Sequence, residues 1–158
     1  MKAFIFPGCL IFLSSLVWSC KDKVKGCTDN VAENYNTEAE EDDGSCTYFA
    51  DKFTGEYHGI KTCQIYQSDS NYSFTISRIS GKEDQITLGQ FPETGISPYA
   101  NIDFSNPDKI VIPNQHLENG LDVSEISGSG ILTGNQLVIR YYRFVDGAID
   151  TTDVIVSK

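Results

Sequence analysis

Few side chains in this sequence have the types and spacing that enzymatic chemistry requires. His58 and His116 are the two histidines, and no Gly-x-Ser-x-Gly motif presents a serine to either of them. Nucleophilic hydrolysis needs a serine or cysteine beside a base and an oxyanion hole. A zinc site needs more ligands, in a regular spacing, than these histidines and Cys63 supply. The sequence therefore predicts a protein that is not an enzyme and has no zinc cofactor.

The cysteine at position 20 is placed for covalent modification. Met1-Lys2 supplies one positive charge, and Ala3 to Val17 is an apolar segment too short to span a membrane. These features fit a secretory signal. The site Val17-Trp18-Ser19 before Cys20 resembles the bacterial lipoprotein pattern, with an aliphatic residue at −3 and a small one at −1. The resemblance implies that residues 1–19 are a cleaved signal peptide and that Cys20 is lipidated.

The alternative is an ordinary secretory signal with a chance cysteine. Under the lipoprotein interpretation, acyl chains on Cys20 hold the protein to the membrane, because each buried methylene adds about 0.8 kcal/mol. We then expect the protein at the outer membrane, facing the periplasm or the cell exterior. Residues 20–25, in which lysine recurs, are the predicted tether to the folded part of the chain.

The composition is strongly acidic. The chain of 158 residues has a formal net charge of −10, and removal of residues 1–19, which contain one lysine, makes it −11. Such a surface repels nucleic acid phosphates and argues against a nucleic acid partner. The remaining length is about that of one domain with a hydrophobic core.

Residues 26–48 are a distinct acidic segment, which we call the acidic module. It contains seven acidic residues and no lysine or arginine. A segment of this composition does not normally fold on its own. A disulfide between Cys27 and Cys46 closes a loop of about 20 residues and stabilises by on the order of 3 kcal/mol. We predict this disulfide, and Cys63 is then the unpaired thiol of the exported chain.

The acidic module resembles a short module in secreted and surface proteins of Bacteroidota-type bacteria. The shared pattern is G-C-T-D, A-x-N-Y-N, A and then D-D-G-S-C-x-Y, and each of these positions is filled between Gly26 and Tyr48. Thr37 stands where the family usually has proline. The resemblance implies a disulfide-stapled spacer next to a β domain.

Oxygen donors in the acidic module have two interpretations. The first is a calcium site, since carboxylate and amide oxygens are the ligands that calcium prefers. The second is a spacer with solvated carboxylates, in which Asn and Asp side chains cap turns. The spacing does not match an EF-hand loop. Calcium is the one candidate cofactor, and its candidate ligands are Asp29, Asn34, Asn36, Asp42 and Asp43.

From Phe49 onward, apolar residues alternate with polar ones, as in half-buried strands. Tyr72, Phe74 and Ile76 are one such run, and Ile102 with Phe104 is another. Turn residues separate the runs. One helical turn is expected near 49–53. The pattern predicts eight strands, at roughly 54–66, 70–80, 84–91, 98–105, 108–116, 121–133, 135–145 and 148–157.

Short links between these strands predict an all-β fold for residues 49–158, an up-and-down antiparallel meander. Closure into a barrel removes its exposed edges, and the alternative is a two-sheet β-sandwich. Eight strands leave an interior that side chains fill or that holds one small ligand. Aromatic residues that are candidates to line an apolar ligand cavity are Tyr57, Tyr72, Phe74 and Tyr141.

The β domain resembles small lipocalin-like lipoproteins of the same bacteria. Phe53-Thr54-Gly55-Glu56-Tyr57 is similar to the F-x-G-x-Y/W opening of lipocalin-like domains. Those relatives commonly carry a cysteine on the first strand and another on the last. Cys63 fits the position on the first strand, but residues 150–154 of the last strand contain no cysteine. The second disulfide of the relatives is therefore not expected here. The segments that look like their strand cassette are 110–115, 126–132 and 134–139.

Two arginines on one predicted strand also have two interpretations. Arg140 and Arg143 lie beside Tyr141 and Tyr142 and are placed to bind an anion at a barrel mouth. Cross-strand pairing with acidic residues of neighbouring strands is the favoured alternative.

The sequence supports three functional hypotheses. The first is a non-enzymatic, lipid-anchored envelope or cell-surface lipoprotein with a binding or structural role. The second is a carrier of a small molecule inside the barrel. The third is an acidic inhibitor that occupies the cleft of a basic envelope or extracellular enzyme. The sequence identifies neither a small ligand nor a protein partner.

Overall fold

The acidic module carries the first strands that the structure describes. The structure, a computed structural model, has β1 (Lys25–Gly26) and β2 (Glu41–Asp42) paired in parallel, followed by one 3-10 helix, Phe49–Lys52. The helix confirms the predicted helical turn. The predicted signal peptide, residues 1–19, and Cys20 lie outside the described residues. Those are 22–91, 97–119, 122–145 and 147–158, with side chains at all but 119, 122, 123 and 145.

Eight further strands form a closed antiparallel barrel. Each pairs with the next along the chain, and the last pairs with the first to close the ring. The predicted up-and-down barrel is confirmed, and the β-sandwich alternative is wrong. The strands are β3 (Gly55–Cys63), β4 (Asp69–Arg78), β5 (Gln85–Gly89), β6 (Tyr99–Ile102), β7 (Lys109–Asn119), β8 (Asp122–Thr133), β9 (Gln136–Val145) and β10 (Ala148–Ser157).

Side-chain alternation sets the interior face of the barrel. On β4, Tyr72, Phe74 and Ile76 are buried while the residues between them are exposed. The prediction that Phe104 lies on the buried face of a strand with Ile102 is wrong, because β6 ends at Ile102 and Phe104 is 54% exposed. The Asp103 carboxylate accepts a hydrogen bond from the Ser105 amide at 3.0 Å, and this local bond turns the chain after β6 ends.

Two interior positions are glycines because adjacent strands approach too closely for a side chain. A Cβ at Gly59 would collide with the backbone oxygen of Ile155, and one at Gly128 would lie 2.7 Å from the Tyr141 Cα. Both glycines therefore let β10 and β9 pack tightly against their neighbours, as the small radius of an eight-stranded barrel requires.

The acidic module lies against one end of the barrel, which we call the helix end. The Tyr48 hydroxyl donates to the Asp29 carboxylate at 2.6 Å. The Arg78 guanidinium lies 3.8 Å from the centre of the Tyr48 ring and donates to Asp51 at 3.0 Å. Since Arg78 ends β4, these contacts join the module and the 3-10 helix to the same end of the barrel. The opposite end, where residues 64–68 connect β3 to β4, is called the far end.

Candidate functional site

Cys27 and Cys46 form a disulfide, as predicted. Cys27 is fully buried at its end of the acidic module. The Asn36 amide donates to the Cys27 carbonyl at 2.9 Å, so the crosslink is reinforced by backbone hydrogen bonding within the loop that it closes.

The candidate calcium ligands of the acidic module take part in turns. The Asp29, Asp42 and Asp43 carboxylates each accept a hydrogen bond from the amide two residues later, and so does the Asn36 side chain. Asn34 bridges two segments, since its Oδ1 accepts from the Thr47 amide at 2.8 Å. These are the turn-capping roles that the spacer interpretation expects.

Calcium binding by the acidic module stays a prediction. Within the described residues, no three His, Cys, Asp or Glu side chains are grouped closely enough to hold a metal ion. Calcium titration with a melting-temperature readout tests the hypothesis. A rise in melting temperature with calcium would support it, if chelation reverses the rise and the double variant Asp42→Asn, Asp43→Asn does not show it. No change with either calcium or chelator would contradict it.

The four aromatic residues proposed to line a cavity are all buried in the barrel. Tyr57 stacks on Phe74 with ring centres 5.6 Å apart, and Tyr72 lies 5.8 Å from Phe74. Tyr141 contacts Phe91 instead, at 4.8 Å. The Tyr57 hydroxyl donates to the Phe53 carbonyl at 2.9 Å, and burial raises the pKa of Tyr57 to about 12.

Phe91 is the last residue of the predicted strand 84–91, but it lies beyond the observed strand, because β5 ends at Gly89. It is fully buried and contacts Phe74 at 5.1 Å. Gln90 has a φ of 62°, a left-handed conformation that redirects the chain. The large aromatic side chain at the end of the predicted strand was the available signal for this interior residue.

Near the far end, polar side chains replace apolar ones on the inward face. Lys61 on β3 is 6% exposed, and Asp150 and Thr152 on β10 are each 1% exposed. Cys63 and Arg143 also occupy inward positions of their strands and are half-buried. We call these five residues the polar layer. Their positions alternate in phase with the buried residues of β3, β9 and β10. This phase is the signal by which the sequence could have placed them inside the barrel.

Asp150 is held by the connection between β3 and β4. Its Oδ1 accepts hydrogen bonds from the Gln64 and Ile65 amides at 3.1 and 2.9 Å. The Thr152 hydroxyl lies 3.3 Å from the other carboxylate oxygen and 3.5 Å from the Cys63 sulfur. The carboxylate is therefore already occupied by donors of the protein, and Cys63 is a free thiol beside it.

The two cations of the polar layer lie over aromatic rings. The Lys61 Nζ is 4.8 Å from the centre of the Tyr72 ring, and the Arg143 guanidinium is 4.5 Å from the centre of the Tyr66 ring. Arg140, on the outward face of β9, instead forms a two-pronged ion pair with Asp153 at 2.6 and 2.8 Å. Cross-strand pairing is thus confirmed for Arg140.

A cavity of about 230 Å³ opens among these side chains. A second cavity of about 280 Å³ adjoins it and shares Lys61 and Gln67. The first is lined by ammonium, guanidinium, phenol, thiol, amide and carboxylate groups, and the second by ammonium, amide, hydroxyl and carboxylate groups, so neither has a continuous apolar wall. We call the first the far-end cavity; it is lined by Lys61, Cys63, Tyr66, Gln67, Tyr141, Arg143 and Asp150.

A larger cleft, of about 620 Å³, lies at the helix end. Its lysines are engaged with the protein, because Lys52 pairs with Asp108 at 2.8 Å and the Lys158 Nζ donates to the Lys52 carbonyl at 2.6 Å. Burial lowers the pKa of Lys158.

The geometry at the far end suits binding of a small polar molecule. In the described part of the chain, no helix has the length and apolarity that a membrane crossing requires. Comparison of the chain with models of protein families, with curated proteins and with solved structures found no match in any of the three.

Proposed function

We propose that this chain is a non-enzymatic lipoprotein of the bacterial outer membrane, anchored through Cys20, that binds a small ligand in the far-end cavity. The observation that carries the proposal is the polar layer inside the barrel. Burying a charge without full compensation costs several kcal/mol, so an interior that serves stability alone is filled with apolar side chains. Departures from such local rules are expected at functional sites.

The position of the far-end cavity relative to the tether supports this assignment. The acidic module contacts the helix end through Tyr48 and Arg78, and residues 20–25 enter the module from its N-terminal side. β10 has ten residues, so the two ends are roughly 25 Å apart once strand tilt is included. A lipid on Cys20 therefore leaves the cavity on the side away from the membrane.

The acidic module then serves as a rigid spacer. Its seven acidic residues repel anionic head groups, and its disulfide keeps the segment folded. A spacer of this kind holds the barrel off the bilayer and leaves the far-end cavity accessible to solutes.

Anchoring is tested by labelling with radioactive palmitate and by membrane fractionation. The wild-type chain is expected to incorporate label and to fractionate with membranes, and Cys20→Ala to do neither. Cys63→Ala is the matched control and should behave as the wild type. Membrane association of the Cys20→Ala protein would contradict the anchor.

Ligand binding is tested by native mass spectrometry of the protein extracted gently from the envelope. We expect a small-molecule adduct on the native protein. Alkylation of Cys63 with N-ethylmaleimide places a bulky group in the far-end cavity and should abolish the adduct. An adduct that persists after alkylation, or an extracted protein with no adduct, would contradict the proposal.

A further inference from the structure

We propose that a second copy of this chain docks on one side of the barrel, whatever the far-end cavity binds. Large apolar side chains are exposed there on the outward faces of four neighbouring strands, β8, β9, β10 and β3. We call this side the apolar face. Its residues are Ile60, Ile131, Val138, Tyr142, Phe144, Ile149 and Ile155.

Four aliphatic residues form an unbroken row across the apolar face. Val138 on β9 lies opposite Ile131 of β8 and Ile155 of β10. Ile155 in turn lies opposite Ile60 of β3. Each of the four is 40–44% exposed. Because neighbouring strands are about 4.8 Å apart, the row is a continuous apolar surface about 14 Å long.

A second apolar group lies on the same face, nearer the far end. Phe144 is opposite Ile149, and Tyr142 precedes Phe144 on the outward side of β9. Between the row and this group, Arg140 pairs with Asp153 through two hydrogen bonds. The apolar face therefore has apolar residues at both ends and one ion pair between them.

The outward side chains of β4 and β5 are polar instead, among them Ser73, Thr75 and Thr87. Outside the apolar face, Tyr99 of β6 is the one large apolar side chain that is exposed on a described barrel strand. Single exposed apolar residues are ordinary, whereas a continuous exposed patch marks an interaction surface. The uneven exterior of the barrel therefore indicates a partner on the apolar face.

The charges of the apolar face favour a second copy as this partner. The whole chain has a formal charge of −10, yet the charges of Arg140 and Asp153 within the face cancel. Glu125 lies at the edge, opposite Phe144. A basic protein would be attracted to the acidic surface elsewhere on the chain. Two neutral apolar faces can approach each other, because charges more than about 8 Å away are screened at physiological ionic strength.

A two-fold axis along β9 and β10 makes the apolar face complementary to itself. Such an axis places β9 of one copy on β10 of the other, as in an isologous interface. Val138 with Ile155 and Arg140 with Asp153 are register pairs of these two strands. In the dimer, Val138 therefore faces Ile155 of the second copy, and Arg140 faces Asp153 of the second copy.

The ion pair gains partners in this arrangement. The Arg140 guanidinium has five N–H donors, and two of them point to Asp153 of its own chain. The others can donate to Asp153 of the second copy, so that two arginines and two aspartates form one network. A bilayer on the same face would bury the pair without new partners and with a large desolvation penalty.

The same axis is compatible with the proposed lipid anchor. Because it runs along the strands, both helix ends point the same way and both tethers can reach one membrane. The apolar face measures about 20 by 20 Å from the spacing of strands and residues. This size is at the low end for specific interfaces, so we expect a dimer with a dissociation constant of roughly micromolar magnitude.

Crosslinking in the cell envelope tests the arrangement. Two full-length chains with different tags are produced together, one with Val138→Cys and the other with Ile155→Cys, and both carry Cys63→Ala. A short bis-maleimide should join them, since packed sheets lie about 10 Å apart. The pair Ser73→Cys and Thr75→Cys, on the polar side of the barrel, is the matched control and should give only the background of random collisions.

Charge reversal tests the contact between Arg140 and Asp153 of the second copy. Arg140→Asp in both cysteine chains, or Asp153→Arg in both, places like charges opposite each other and should lower crosslinking at least about tenfold. Arg140→Asp in one chain with Asp153→Arg in the other restores opposite charges across the interface and should recover the crosslink. Melting temperatures identify any variant with a damaged fold.

Equal crosslinking by the apolar-face pair and the polar-side pair would overturn the dimer. Labelling of the apolar face by a photoactivatable lipid, without a crosslink between chains, would overturn it and assign the face to the bilayer. Folded charge variants that fail to recover the crosslink when mixed would overturn the two-fold arrangement. The ligand-adduct test by native mass spectrometry decides the proposed function separately.

Discussion

The acidic module and the barrel are stabilised in different ways. In the module, the buried apolar side chains are Cys27 and Ala32, and its turns are held by Asx hydrogen bonds around one disulfide. In the barrel, 21 buried residues of the described chain form a continuous cluster, among them Phe53, Tyr57 and Phe74. The module therefore depends on a covalent bond and local polar contacts, while the barrel depends on removal of apolar surface from water.

This difference shows how a segment too polar to form a core can still have one conformation. A crosslink acts mainly by restricting the unfolded chain, so its effect is confined to the loop that it closes. Apolar burial is shared among all the strands that contribute to the interior. The two regions should therefore respond to different perturbations.

The largest expected effect is on the barrel core. Phe74→Ala removes a ring that contacts Tyr57, Tyr72 and Phe91, and it should lower the free energy of unfolding by about 3–5 kcal/mol. Urea denaturation followed by circular dichroism measures the change. Phe144→Ala, at a position 46% exposed on the outward face of β9, is the control and should cost less than about 1 kcal/mol. Equal losses in the two variants would mean that the barrel interior is not the source of stability.

The next effect is on the acidic module alone. Replacement of Cys27 and Cys46 by serine should destabilise this segment by about 3 kcal/mol and make it sensitive to proteases. The barrel should keep its melting temperature, because its buried cluster contains no module residue. Limited proteolysis with mass mapping, together with thermal denaturation, measures both. A barrel that melts earlier by a comparable free energy would show that the two regions fold as one unit.

The smallest effect concerns the hydrogen bond between Tyr48 and Asp29 inside the acidic module, beside the contact of Tyr48 with Arg78 of the barrel. The hydrogen bond from Tyr48 holds the pKa of Asp29 below its ordinary value of 3.8, and Tyr48→Phe should return the pKa toward that value. Because the folded-state pKa is depressed, this bond stabilises the folded acidic module above pH 3.8. Its contribution is lost as the pH falls through the folded-state pKa of Asp29.

An NMR titration of the carboxylates measures the Asp29 pKa in the wild-type and Tyr48→Phe proteins. Asp43 provides an internal control, since its pKa is lowered by Ser45 within the module and should not respond to Tyr48→Phe. An Asp29 pKa that is the same in wild-type and variant proteins would mean that the Tyr48 hydroxyl does not hydrogen-bond to Asp29 in solution.

Much of the fold was predictable because its signals are local. The alternation of Tyr72, Phe74 and Ile76 identifies a strand and its buried face without knowledge of its neighbours. Glycine and asparagine mark the turns for the same reason. The Cys27–Cys46 pairing was predictable because these cysteines flank one short segment. Phe104 was misplaced, and the strand predicted to reach Phe91 ends earlier, because single turns at Asp103 and Gln90 change the direction of the chain.

The sequence by itself determined the eight strands of the barrel, most of their inward apolar residues and the disulfide, since each depends on residues close along the chain. Ring closure was decided by the tertiary structure, through the pairing of β10 with β3. That pairing, with β9 on the other side of β10, brings Lys61, Arg143 and Asp150 around one cavity although about 80 residues separate the first from the others. The candidate site therefore exists only in the closed barrel, because its charges come from strands that meet where the ring closes.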